Sequence, residues 1–233
     1  MQTTCDSKYI TATFIKELKN RFLCEVEIDG EQVVCYVPSS CHLSNFLKLE
    51  GKKVLLVPTQ TKNTRTQYAL FAVPYKKSYI ILNTSMANRA IENSIHSRRL
   101  SDLGKRKTVI KEHYVDGYKS DLFIKDTETI IEIKSVLSMG KDAKFPTVFS
   151  ERSLEQLVKL KCLLRKGYTV RYIIVSLNPY LKSVSISQDT TFYKELYGCL
   201  ERGMKISAFA CRLKNYEVFV DHEIPVHMED YYG

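Results

Sequence analysis

Short β-rich runs separated by turn signals fill the first 75 residues, and this pattern restricts the fold more than any other feature. Asp29-Gly30, a dipeptide that favours tight hairpins, follows a run in which apolar and polar residues alternate. Later runs stop at Pro38, Pro58 and Pro74. The runs predict five short strands, at 9–15, 22–28, 32–37, 53–57 and 67–73. Five such strands in sequence predict a small barrel or sandwich, with an oligonucleotide/oligosaccharide-binding (OB) barrel as one candidate.

From about residue 80 onward the pattern changes to helices alternating with strands. Gly167 and Gly203 follow two apolar-periodic segments and are typical helix ends. The pattern predicts helices near 84–94, 153–166 and 190–202, strands at 79–82, 168–176 and 204–210, and a hairpin from 119–125 and 129–136. We therefore predict an α+β protein of two domains, with an OB-like β-barrel in residues 1–80 and an α/β domain in residues 81–233.

Charge points to a polyanionic partner. Lys and Arg number 35 against 26 Asp and Glu, a formal net charge of +9, and such a surplus attracts nucleic acid through long-range attraction and counterion release. The stretch 98–111 is locally basic, and a solvated loop is the other interpretation of it. Its candidate phosphate contacts are Arg98, Arg99, Lys105, Arg106 and Lys107.

Seven cysteines are scattered without a CxxC pair, which predicts reduced thiols rather than a disulfide framework or a zinc site. The N-terminal residues lack a basic region followed by an apolar core, and no apolar run approaches ~20 residues. We expect a cytoplasmic protein with no membrane partner.

Charged residues interrupt the apolar strand at 130–136. Strand alternation places Glu132 and Lys134 on one face, and burying charge without partners costs several kcal/mol or more. A hairpin can bring the carboxylate of Asp121 beside Glu132, so mutual pairing, a metal ion or an open cleft can offset that cost. A salt-bridged hairpin at a sheet edge is the simpler interpretation.

Two carboxylates and a backbone carbonyl suit Mg²⁺ or Mn²⁺, which prefer oxygen ligands. We predict Asp121, Glu132 and the carbonyl of Ile133 as metal ligands, with Lys134 positioning water or stabilising charge on a phosphate. Asp followed after ten residues by Glu-x-Lys is the pattern of the PD-(D/E)xK nucleases.

Further candidates flank this pattern. Glu112 precedes Asp121 by nine residues and is a candidate upstream acid. Arg152 and Gln156 stand four apart at the start of a predicted helix, so both can point at the same site. A solvated helix start is an equally good reading of that pair. Phe22, Tyr36 and Tyr68 in the barrel are candidates for base stacking, but core packing explains them at least as well and is what we expect.

An ordered set of motifs resembles the SfsA family of sugar fermentation stimulation proteins. The set comprises RFLCEV at 21–26, Asp29-Gly30, LNTSMANR at 82–89, Glu112, Asp121, EIKSV at 132–136 and KFPT at 144–147. The resemblance implies an OB-like domain joined to a PD-(D/E)xK-type nuclease domain that binds DNA and hydrolyses it with a metal. It also implies Asp121 and Glu132 as metal ligands, Lys134 as the catalytic lysine and Glu112 as the upstream acid.

The chain departs from the family pattern at three places. Residues 39–41 read SSC where the family has Asn-Thr-Gly, residues 152–157 read RSLEQL where it has Arg-Gly-x-Lys-His-Leu, and residues 118–120 read YKS rather than Ser-Arg-x. We expect a Mg²⁺- or Mn²⁺-dependent nuclease acting on DNA, with RNA as a second candidate. Two alternatives stay open, a non-catalytic DNA-binding regulatory protein with a degenerate nuclease site and an oligosaccharide-binding barrel.

Overall fold

The structure is a computed structural model that describes residues 9–38, 42–45, 47–59, 66–188, 190–215 and 217–228. The family departure at 39–41 lies outside these residues. Within the described ranges, no helix is long and apolar enough to cross a membrane.

Six strands form the N-terminal sheet: β1 Ile10–Glu17, β2 Leu23–Ile28, β3 Glu31–Tyr36, β4 Lys53–Pro58, β5 Tyr68–Tyr75 and β6 Ser78–Ile81. Strand β1 pairs antiparallel with β2 and β4, β2 with β3, and β4 with β5. Tyr36 pairs with Ala69 between β3 and β5, which closes β1–β5 into a five-stranded barrel. The predicted OB barrel is confirmed, and β6 extends it beyond β5.

Local sequence explains the barrel's turns and its interior. Asp29 and Gly30 both have positive φ, 50° and 88°, the conformation required by the tight hairpin between β2 and β3. In β2, Cys24 and Val26 are fully buried while their neighbours are more exposed, so alternate side chains face the interior. The cysteines among the described residues are free thiols.

The C-terminal domain is mixed α/β. Its strands are β7 Val109–Lys111, β8 Tyr114–Val115, β9 Tyr118–Lys119, β10 Leu122–Ile124, β11 Thr129–Val136, β12 Asp142–Phe145, β13 Thr169–Ser176, β14 Ser183–Ile186, β15 Lys205–Lys214, β16 Glu217–Ile224 and β17 Val226–Met228. The main sheet has the order β16-β15-β13-β11-β10-β7, with β11, β13 and β15 mutually parallel. Strands β12, β14 and β17 form a small parallel sheet, and β8 and β9 form a hairpin.

Three α-helices in the described part of the chain cover this sheet: α1 Met86–His96, α2 Glu151–Arg165 and α3 Thr191–Leu200. The hydroxyl of Ser150 accepts from the amide of Ser153 at the start of α2, and Thr190 does the same for Tyr193 at the start of α3. These N-caps satisfy amides that have no partner within the helix. All three predicted helices are confirmed to within a few residues.

Two hydrophobic clusters lie on the two faces of the main sheet. One contains Ile131 and Ile133 of β11 together with α1 and the interior of the barrel. The other contains Ile130 with α2 and α3. The even-numbered residues of β11 therefore face α2, and the strand carries its charged pair on that side.

Candidate active site

Asp121 lies where the pairing of β10 with β11 stops. Leu122 pairs with Ile131, and Asp121 comes immediately before it. Its carboxylate oxygen Oδ2 accepts the backbone N–H of Ile133 at 2.7 Å, the position that a continued strand would otherwise fill. The hairpin thus holds Asp121 against β11, as its sequence spacing suggested.

Asn88, on the first turn of α1, holds the other oxygen of Asp121. Its amide Nδ2 donates to Oδ1 at 3.0 Å. At the same end of the helix, the Thr84 hydroxyl donates to the carbonyl of Pro38 at 2.9 Å, which ties the barrel to the start of α1. Asp121 is therefore oriented by two elements that are distant in sequence.

Glu132 is a buried carboxylate, with 2% of its surface exposed. Oε1 accepts from Lys134 Nζ at 2.6 Å, and Oε2 accepts the hydroxyl of Tyr118. Burial raises the pKa of Glu132 above its usual value, and the nearby charge of Asp121 adds to the rise while Lys134 and Tyr118 oppose it. A cation bound between the two carboxylates would stabilise the charged form of Glu132.

Lys134 joins β11 to α2. Its ammonium also donates to Oε1 of Gln156 at 2.6 Å, and its side chain is one-fifth exposed. The ion pair of the simpler interpretation is present, but β11 lies between β10 and β13, so the pair does not sit at a sheet edge. The charged side chains of Glu132 and Lys134 therefore lie on an internal strand, and the residues that bind them come from β9, β11 and α2.

Tyr172 lies beside Glu132 in the register of β11 and β13. Its hydroxyl is buried and has no hydrogen-bond partner among the described residues. Burial raises the pKa of Tyr172, and the charges of Glu132 and Asp121 raise it further. The region beneath the site therefore contains an unsatisfied polar atom, which is costly in a protein interior.

Two adjoining cavities open on either side of Asp121, and Thr84, Ile133 and Ser135 line both. The cavity that holds Glu132 and Lys134 has a volume of about 760 Å³. Arg21 and His42 from the barrel, the loop 145–150 and Arg152 form its other walls. The second cavity, of about 730 Å³, is lined by Tyr36, Arg89, Lys111 and Glu112 among others. The cleft thus runs between barrel and α/β domain.

Glu112 lines the second cavity together with Asp121. Its side chain is 73% exposed and forms an ion pair with Lys119, which lowers the pKa of Glu112. Its backbone has a positive φ of 48°, and its amide donates to the carbonyl of Asp121 at 3.0 Å. The structure places Glu112 next to Asp121 through the backbone rather than through its carboxylate.

Apart from Lys111, the basic residues of the stretch 98–111 do not line either cavity. Arg99 donates to the carbonyl of Val220, and Arg106 to the carbonyls of Ile95 and Gly104. Arg98, Lys105 and Lys107 are exposed. The stretch follows the C-terminal end of α1 at His96, whereas Asn88 lies in the first turn of this helix, about 12 Å away along the axis at 1.5 Å per residue.

The donors around Asp121 fit a hard divalent cation. No group of three or more His, Cys, Asp or Glu side chains gathers within the described part of the chain. The available ligands are therefore the carboxylates of Asp121 and Glu132 and the backbone carbonyl of Ile133. The N–H of Ile133 donates to Asp121, and the carbonyl of the same residue points to the same edge of β11. Carboxylate oxygens have several acceptor sites, and Mg²⁺ binds few protein ligands and keeps several waters.

Asn88 and Tyr118 are site residues that we did not predict. Asn88 belongs to the LNTSMANR motif, so the motif was a usable signal, but its partner lies 33 residues away. Tyr118 reaches Glu132 because Asp116 and Gly117, both with positive φ, turn the β8–β9 hairpin back toward β11. The expectation of core packing is wrong for Phe22 and Tyr36, which are 38% and 41% exposed.

The structure thus defines a two-domain protein in which a five-stranded OB barrel precedes a mixed α/β domain. A cluster of two acids and a lysine lies in the cleft between the two domains. The profile described as "SfsA N-terminal OB domain" matches residues 18–82, and "Sugar fermentation stimulation protein RE domain" matches residues 85–217. The chain belongs to the SfsA family of sugar fermentation stimulation proteins.

Relatives of similar length share this organisation. A sugar fermentation stimulation protein homolog from Desulforamulus reducens is 27% identical over 224 residues, covering 94% of this chain and 92% of the relative. A homolog from Caldanaerobacter subterraneus is 29% identical over 208 residues, covering 87% and 90%. A solved structure of Pyrococcus furiosus SfsA in complex with Ca²⁺ superposes with a TM-score of 0.82 at 22% identity, covering 97% of this chain and 98% of that one. This likeness concerns the fold.

Proposed function

We propose that this protein is a metal-dependent nuclease that hydrolyses phosphodiester bonds of DNA, with RNA as a second substrate class. The observation that carries the proposal is the position of Lys134, whose ammonium lies between Glu132 and Gln156 in the cavity that also holds Asp121. Two carboxylates and an ammonium that open to solvent are a suitable set for phosphoryl chemistry.

Asp121, Glu132 and the carbonyl of Ile133 would hold Mg²⁺ or Mn²⁺. When bound, the cation would supply charge stabilisation at the phosphate and lower the pKa of a coordinated water. Asn88 and the N–H of Ile133 orient Asp121 for this role. The Pyrococcus furiosus relative is in complex with Ca²⁺, which supports a divalent cation in the family.

Lys134 and Arg152 would act on the phosphate. The Lys134 ammonium stabilises negative charge that builds up during hydrolysis, and Gln156 keeps it directed into the cleft. Arg152 lines the same cavity and can bind a neighbouring phosphate. Glu112 stands at the rim, where release from Lys119 would free its carboxylate for a supporting role.

A non-catalytic DNA-binding protein is the second candidate. This candidate is favoured because both carboxylate oxygens of Glu132 already accept hydrogen bonds, one from Tyr118 and one from Lys134. In that case the cluster would stabilise the fold, and the cleft and the exposed Arg98, Lys105 and Lys107 would bind phosphates without cleavage.

The test is cleavage of labelled single- and double-stranded DNA and RNA with Mg²⁺, Mn²⁺ or EDTA. Wild type is compared with Asp121→Asn and Lys134→Ala, and with Lys159→Ala as an exposed lysine control on α2. We expect cleavage that needs the metal, is lost in the first two variants and persists in the control. Binding without cleavage in every protein would support the second candidate and contradict the nuclease.

A further inference from the structure

The loop between β12 and α2 exposes two large apolar side chains at the mouth of the cleft. Val148 is 52% exposed and Phe149 is 58% exposed. Both line the cavity that contains Glu132 and Lys134. Solvent-exposed apolar side chains at the rim of a charged cavity are a common sign of a binding surface.

The barrel contributes a cation to the lining of this cavity, and an exposed aromatic ring lies next to that cation. Arg21 lines the cavity, and its guanidinium lies 4.7 Å from the ring centroid of Phe22, which is 38% exposed. Tyr36, 41% exposed, lines the adjoining cavity. The cavity that holds Glu132 and Lys134 is thus lined by one exposed aromatic ring, Phe149, and by two arginines, Arg21 and Arg152.

This arrangement matches unpaired nucleic acid better than duplex. An unpaired base offers an open face for stacking on an aromatic side chain, and basic groups between the rings bind the backbone. In a duplex the base faces are covered by neighbouring pairs, so exposed aromatic rings gain little unless a base is extruded. Arg21 and Arg152 line the same cavity as Phe149, and arginine side chains are suited to binding phosphates.

We propose that the cleft selects single-stranded nucleic acid, with a base stacked on Phe149 and the flanking phosphates held by Arg21 and Arg152. The proposal rests on the proposed function for the cleavage that follows. The binding preference itself needs only the cleft, so it is measured separately.

The test is fluorescence anisotropy in EDTA with a labelled thymidine oligonucleotide of about 15 nucleotides, within the site size of an OB fold, and a hairpin duplex of similar length. Wild type should bind the single strand more tightly. Phe149→Ala and Phe149→Leu should weaken single-strand binding about fivefold or more, the range measured for lost stacking, while Phe149→Tyr retains it. Tyr197→Ala, an exposed aromatic on α3, is the control.

Three outcomes would overturn this inference. Equal affinity for duplex and single strand contradicts the selectivity, and unchanged binding by Phe149→Leu contradicts stacking. A fall in sedimentation mass for Phe149→Ala, with unchanged oligonucleotide binding, would assign the loop to contact with a second copy of the chain. Single-strand binding that depends on Phe149 but is never followed by cleavage would remove the nuclease proposal and leave this inference intact.

Discussion

Asn88 and Asp121 are joined by a hydrogen bond of 3.0 Å between the side-chain amide and one carboxylate oxygen, across 33 residues of chain. Together with the N–H of Ile133 on the other oxygen, the bond leaves the carboxylate little freedom to rotate. The first turn of α1 therefore sets the direction of the acid that we assign to the metal.

Asn88→Ala should lower metal-dependent cleavage about tenfold, because a lost hydrogen bond to a charged group corresponds to roughly 1.5–3 kcal/mol and part of it is recovered by water. The metal concentration for half-maximal activity should rise with it. Asn93→Ala, an exposed position on the same helix, should leave both unchanged. Wild-type metal dependence in Asn88→Ala would show that Asp121 does not need this contact.

Glu132→Gln should raise the unfolding free energy at neutral pH in metal-free buffer. Burial raises the pKa of Glu132 above its ordinary 4.5, so the folded state holds this proton at a higher pH than the unfolded state. The contribution of Glu132 to the unfolding free energy is therefore fully present below pH 4.5, and it is lost as the pH rises through the pKa of the folded state. Urea unfolding should therefore show a gain near neutral pH that disappears by about pH 4. A gain independent of pH would contradict it.

Tyr172→Phe should stabilise the protein, because it removes a buried hydroxyl that has no partner among the described residues. A buried unsatisfied group costs about 1–3 kcal/mol, and each kcal/mol shifts Tm by roughly 2–4 °C in a chain of this size. Thermal unfolding measures the shift. Tyr193→Phe on α3 serves as a comparison, and a lower Tm for Tyr172→Phe alone would reveal a solvent-mediated partner of its hydroxyl.

Replacing Arg98, Lys105 and Lys107 together with Ala should affect only long substrates. These exposed cations follow the C-terminal end of α1, which is about 12 Å along the helix from Asn88, so we expect an oligonucleotide confined to the cleft not to reach them. Affinity for a long strand should fall, and the slope of log K against log salt should become shallower. Equal weakening of short and long strands would place these residues next to the cleft instead.

Local sequence signals were sufficient for the barrel and the hairpin that holds Asp121. Turn dipeptides and β-rich runs gave β1–β5, and strand alternation placed Glu132 and Lys134 on one face of β11. These features depend on neighbours close in the chain. Where the boundary between the two domains falls stays a prediction.

Other elements depend on long-range contacts and were not predicted. Strands β12, β14 and β17 have only three or four residues each, and their small sheet forms from segments far apart in sequence. The same holds for the partners of Asp121 and Glu132. Nothing near Asn88 or Tyr118 in the sequence reveals which carboxylate each will contact.

The hydrophobic cluster that joins the barrel interior, α1 and Ile133 has a consequence for how the chain unfolds. The two halves also share a backbone hydrogen bond, from Ile81 of β6 to the carbonyl of Leu177 at 3.0 Å. Separating the barrel would expose apolar side chains of both halves to water at about 25 cal/mol per Å². We therefore expect a single cooperative melting transition, in which the cleft is lost at the same temperature as the halves that form its walls.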